Sequence, residues 1–192
     1  MLHNIDYNIL EQYLSDYSAE IYGRQLIGKI PLSQKAIALA LEKLERGGIL
    51  KSRRSGNMKF YSLNTKTFVI KDIMAITEMF KKVRFLENNK VIAQIFKSDE
   101  NIVGVFGSYA KNKQKHDSDL DIFIIGEKNN DYGSQGKMFD ISVSIRNFSV
   151  KEAKELIKKK NPLIKEIITN HVLLFNVERF IELLWGDYYG FD

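Results

Sequence analysis

Gly107-Ser108 and Asp119-Leu120-Asp121 are the residues of this chain whose types and spacing could do chemistry, with ten residues between Ser108 and Asp119. A Gly-Ser where a strand turns into a helix offers unpaired backbone N–H groups to an anion, and the helix dipole favours phosphate there. Ser108 adds N-cap chemistry and a hydroxyl that can point at a phosphate oxygen. Asp119 and Asp121 alternate with Leu120 and Ile122 ahead of Phe123-Ile124-Ile125. Side chains on a strand alternate faces, so the two carboxylates share one face while Leu120 and Ile122 enter the core. Two such groups repel unless a cation stands between them; Mg²⁺ takes oxygen ligands of this kind and keeps positions for substrate phosphates.

A third carboxylate would complete a site for two ions roughly 3.5–4 Å apart. Asp140 is the candidate. In Met138-Phe139-Asp140-Ile141-Ser142-Val143-Ser144-Ile145, one face is Ile141, Val143 and Ile145, and the polar one is Asp140, Ser142 and Ser144. A strand there, paired beside residues 119–125, places Asp140 next to the pair. Glu127 and Asp131, in the polar loop between, are the runners-up. Lys111, Lys113, Lys115 and His116 could attract phosphates, although a charge run is usually a solvated face.

The elements that must position these residues are legible as apolar patterns. Ile102-Val103-Gly104-Val105-Phe106 suits a buried strand. A helix is predicted over 90–97 before it and over 108–114 after it. Beyond Phe148, helices are predicted over 150–160, over 163–176 after Pro162, and over 177–185. Residues 67–89 lack Pro and Gly and repeat Val69, Ile73, Ile76, Phe80 and Val83 at helical intervals, which predicts a linker helix that could also carry a dimer interface.

The first 66 residues are patterned differently. Ile5, Ile9, Leu10, Tyr13 and Leu14 recur at helical spacing, and a short second helix is expected over 22–30. Ser33 is a good N-cap for a helix to Arg46 with Ile37, Ala40, Leu41 and Leu44 buried, ended by Gly47-Gly48. Residues 49–54, a turn at Ser55-Gly56-Asn57 and residues 58–63 read as a hairpin. This part carries ten Lys/Arg against six Asp/Glu, and residues 46–66 hold six basic residues and no acidic one. That asymmetry points to a nucleic-acid surface.

With 192 residues, 44% of them hydrophobic, the chain can form one large or two small cores. No run approaches the roughly 18 apolar residues of a membrane span. The start lacks the basic-then-apolar order of a signal peptide, and no cysteine is present; a cytoplasmic location is expected. The three histidines give no zinc spacing.

Gly-Ser, a gap of about ten residues and Asp-hydrophobic-Asp-hydrophobic together resemble the polymerase-beta-like nucleotidyltransferase superfamily, especially its minimal nucleotidyltransferase members. The resemblance implies that Gly107 and Ser108 bind the nucleotide phosphates and that Asp119, Asp121 and Asp140 are catalytic and hold Mg²⁺ or Mn²⁺. It implies transfer of a nucleoside monophosphate from a nucleoside triphosphate to an acceptor hydroxyl. Residues 1–66 resemble a winged helix-turn-helix. This likeness implies contacts to duplex DNA from Ser33, Gln34, Lys35 and Ala38 in the major groove, and from Arg53, Arg54 and Lys59 on phosphates.

The expected fold class is therefore α+β: a winged helix domain over 1–66, a linker helix over 67–89, and a nucleotidyltransferase domain over 90–192 with a small mixed sheet and C-terminal helices. Expected partners are a nucleoside triphosphate, duplex DNA, a second copy through the winged helix or linker helix, and a helical antitoxin-type protein, with no membrane. The competing reading is a transcriptional regulator whose nucleotidyltransferase domain senses nucleotide or is inactive.

Overall fold

A computed structural model describes residues 2–127 and 131–191. Two compact units divide the chain, Met1–Thr77 and Glu78–Asp192. Both mix helices with a small sheet, as the α+β expectation requires.

In the first unit, α1 (Asn4–Leu10) continues into a 3₁₀ turn over Glu11–Tyr13. The Tyr13 hydroxyl donates to the Tyr61 carbonyl at 2.9 Å, so this fully buried phenol keeps its hydrogen bond. A helix expected over 22–30 is instead β1 (Ile21–Tyr22) and a 3₁₀ turn, Gly23–Leu26. Gly28 at φ 78° prevents a longer helix, since a left-handed residue ends helical hydrogen bonding. The Ser33 hydroxyl accepts from the Ala36 N–H and opens α2 (Gln34–Arg46), which buries Ile37, Ala40, Leu41 and Leu44. Gly48, at φ 71°, closes it. The chain then forms β2 (Leu50–Ser55) and β3 (Met58–Leu63), giving an antiparallel sheet in the order β1-β3-β2.

The helix α3 (Ile70–Asn88) carries the boundary between units and is followed by α4 (Lys90–Ile95). The second unit is built on β4 (Ile102–Phe106), β5 (Leu120–Ile125), β6 (Val143–Phe148) and β7 (His171–Phe175), in the order β6-β5-β4-β7. β5 and β6 are parallel, and β4 is antiparallel to both β5 and β7. On one face Val103, Val105, Leu120, Ile122, Ile124, Val172 and Leu174 meet Phe85, Ile92, Ile95 and Tyr132. On the other, Phe123 is wholly buried and meets the rings of Phe106 and Phe180 at 6.2 and 5.8 Å. Gly104 makes room for it, because a Cβ there would lie 2.5 Å from the Phe123 ring. Truncating a buried Phe of this kind costs about 3–5 kcal/mol.

In the second unit two further expectations give way. The helix expected over 163–176 is α8 (Pro162–Thr169), and His171–Phe175 leave it to become β7. A short apolar run is ambiguous between helix and strand, and here the free edge of β4 decides it. His171 secures the junction: its Nδ1–H donates to the Ile167 and Ile168 carbonyls, each at 2.9 Å, while Nε2 lies 2.8 Å from Glu78 Oε1. The polar stretch after β5 contains a helix, α6 (Tyr132–Lys137), with the Asp131 side chain as its N-cap. Residues 128–130 of that stretch lie outside the described residues. The remaining helices are α7 (Val150–Lys158) and α9 (Val177–Leu183), the latter running into a π-turn over Leu184–Tyr188.

Candidate active site

The residues with chemical potential gather where β4 ends and β5 begins. Because these strands are antiparallel, Phe106 stands opposite Asp121, and Gly107 follows at once. Gly107 has φ 71° and lies so close to the carboxylate that an added Cβ would sit 2.3 Å from Asp121 Oδ2. Only glycine fits both the conformation and the approach. Ser108 is half-buried in α5 (Gly107–Ala110), one helical turn in place of the helix expected over 108–114. Asn112, at φ 52°, shows the chain already turning away. A tight turn then delivers Asp119: Ser118 N–H donates to the Lys115 carbonyl, and Lys115 N–H donates to Ser118 Oγ at 2.8 Å. Asp119 is exposed and Asp121 half-buried.

Burial pushes the Asp121 carboxyl above its ordinary range, with Asp119 and Glu166 adding to the rise; a hydrogen bond from Ser144 and the charge of Arg146 oppose it. A cation beside Asp119 and Asp121 would offset that repulsion, so the donor chemistry suits one hard divalent ion. Among the described residues, no three acidic or histidine side chains group closely enough to hold a metal together. Lys111, just past α5, is tied to Glu166 on α8 by a 2.8 Å ion pair.

Asp140 is not on a strand. The expected strand over 138–145 begins only at Val143, and residues 138–141 finish α6 instead: the Asp140 N–H donates to the Lys137 carbonyl and that of Ile141 to the Gly136 carbonyl. Asp140 itself sits at φ 56°, the left-handed helix-ending position that Asp tolerates better than most residues. Its side chain is exposed, at the edge of the sheet where the Leu120 N–H donates to the Ser142 carbonyl. The residue opposite Asp121 on β6 is Ser144. Ser144 and Arg146 were missed as neighbours of the pair because the parallel register, which alone aligns them with Asp121, is not written in either strand.

The basic residues of the first unit divide between two surfaces. Ser33, Gln34, Lys35 and Ala38 are exposed at the start of α2. Arg54 and Lys59 are register partners on one face of the hairpin, and Lys59 Nζ reaches Glu45 of α2 at 2.5 Å. Arg53, one residue along, faces the other way. It pairs with Glu20 through Nε at 2.7 Å and stacks over the Phe60 ring at 4.9 Å.

One comparison with known families bears on the second unit. Residues 89–179 match the family model described as polymerase beta, nucleotidyltransferase. The matched domain contains Gly107, Ser108, Asp119, Asp121 and Asp140, together with Lys111, Ser144, Arg146 and Glu166. No curated protein and no solved structure matches the chain. No helix of the described residues is long and apolar enough to cross a membrane.

Proposed function

We propose that the matched domain is a nucleotidyltransferase that moves a nucleoside monophosphate from a nucleoside triphosphate to an acceptor hydroxyl. The observation that carries this reading is the packing of Gly107 on the Asp121 carboxylate inside the matched residues. A phosphate-binding turn and a metal-binding pair are thereby side by side. Asp119 and Asp121 would hold Mg²⁺ or Mn²⁺, which when bound would neutralise the triphosphate and the departing pyrophosphate. The Gly107-Ser108 turn would orient the β- and γ-phosphates. The acceptor oxygen forms its bond to the α-phosphorus as the bond to the β-bridging oxygen breaks, and pyrophosphate takes that electron pair. Asp140, from the turn at the same sheet edge, is the proposed acceptor of the hydroxyl proton. Incubating the protein with labelled ATP, GTP, CTP or UTP, Mg²⁺ and a cell lysate tests this reading. It expects metal-dependent label on one class of acceptor, lost in Asp119→Asn; no labelled species with any nucleotide counts against transfer.

For the first unit we propose duplex DNA as the partner. The order helix, strand, helical turn, helix, hairpin supports it, as do the exposed start of α2 and the paired cations Arg54 and Lys59 on the hairpin. A second reading, a regulator whose second unit senses nucleotide without turning it over, is favoured by one observation: β6 offers Asp121 the neutral Ser144, not a carboxylate. Nucleotide binding with no transfer to any acceptor distinguishes it.

A further inference from the structure

The polar face of β6 presents a cation where a further metal ligand would be expected. Ser144 stands opposite Asp121 in the parallel register. Arg146 is the next residue on that face, opposite Phe123, while Val143 and Ile145 turn to the apolar side. Two residues along a strand span about 6.6 Å, which an extended Arg side chain can bridge. Arg146 is exposed, and among the described residues no ion pair ties it down. A planar guanidinium can take two phosphate oxygens at once, and Arg residues supply transition-state charge in other phosphoryl transfers.

We propose that Arg146 takes the place of a second metal ion: the site binds one divalent cation on Asp119 and Asp121, and the guanidinium holds a phosphate of the nucleotide. Three observations converge on this. No third acidic or histidine side chain completes a metal group among the described residues. The β6 residue beside Asp121 is uncharged. Arg146 acts electrostatically on Asp121 across the same face. The proposal rests on the nucleotide reading above, and its experiment separates the two.

Mn²⁺ bound per chain is measured by equilibrium dialysis with the non-hydrolysable α,β-methylene analogue of ATP, alongside the affinity for that analogue at saturating Mn²⁺. The expected result is one Mn²⁺ per chain. Arg146→Met should weaken the analogue on the order of tenfold or more, and Arg146→Lys should recover part of the loss because it retains the charge. Arg146 is exposed, so both variants should melt with the unsubstituted protein. Two Mn²⁺ per chain, or an Arg146→Met variant that binds the analogue as well as the parent, overturns the assignment. A parent protein without Mn²⁺-dependent affinity overturns the nucleotide reading and the assignment with it.

Discussion

The Cα of Gly107 is in contact with the Asp121 carboxylate, leaving only 2.3 Å between Oδ2 and the position a Cβ would take. The turn proposed to bind phosphate therefore cannot be altered independently of the carboxylate proposed to hold the metal. Gly107→Ala should lose nucleotide affinity and also destabilise the fold by about 1–3 kcal/mol, because φ 71° is strained for a residue with a Cβ. Thermal melting and nucleotide titration of the same sample check both. An Ala variant that binds and melts like the parent contradicts this geometry.

Asp140 offers a separation of stability from chemistry. At φ 56° it occupies a position that glycine fills without strain. Asp140→Gly should therefore melt at or above the parent temperature, with a gain of up to about 1 kcal/mol. Transfer should still fall by orders of magnitude if Asp140 accepts the proton, while nucleotide binding stays nearly unchanged. Full transfer activity in this variant removes Asp140 from the reaction.

In the first unit, acidic side chains hold back cations proposed for DNA. Glu45 binds Lys59, and Glu20 binds Arg53. Glu45→Gln should release Lys59, raise affinity for duplex DNA severalfold, and steepen the slope of log affinity against log salt by up to about 0.9. Arg53 lies on the opposite face of the hairpin, so Glu20→Gln should change DNA affinity less than Glu45→Gln does. Equal effects from the two substitutions, or none from Glu45→Gln, contradict this division of the surface.

The same pair sets a pH dependence. The hydrogen bond from Lys59, then that from Ser52, holds the Glu45 carboxyl below its ordinary range. A lowered folded-state value means the stabilisation is present above the unfolded carboxylate range and is lost as pH falls through the lowered value. The hairpin-to-α2 tie is thus intact at neutral pH and weakens only in acid. Following melting of the parent and Glu45→Gln against pH should show their difference shrinking on acidification; a difference that grows would reverse the assignment.

How far the sequence revealed all this depended on how local each signal was. Ser33 capping α2, the hairpin turn at Gly56, and β4 and β5 around the Gly-Ser and Asp-Leu-Asp motif are written in neighbouring residues, and the structure has them where the pattern puts them. β7 was hidden because Val172-Leu173-Leu174 is apolar without period, and only the edge of β4 makes it a strand. α6 was hidden by Gly133 and Gly136, poor helix formers. Gly136 is needed there because a Cβ would lie 2.4 Å from Val143 Cγ2. The displacement of Asp140 follows from that helix, whose last turn consumes the residues expected to extend β6. The pairings of Arg53 with Glu20 and of Lys111 with Glu166 join residues far apart in the chain and leave no local trace.

The central claim, that Asp119 and Asp121 bind a nucleoside triphosphate through a divalent ion, is tested most directly by ATP titration with and without Mg²⁺, using the parent and the Asp119→Asn/Asp121→Asn double variant. The parent should bind only with Mg²⁺. The double variant should not bind under either condition, yet should melt no lower than the parent, because burial disfavours the ionised Asp121 carboxylate that the substitution removes. Mg²⁺-dependent affinity that survives unchanged in the double variant would contradict the account.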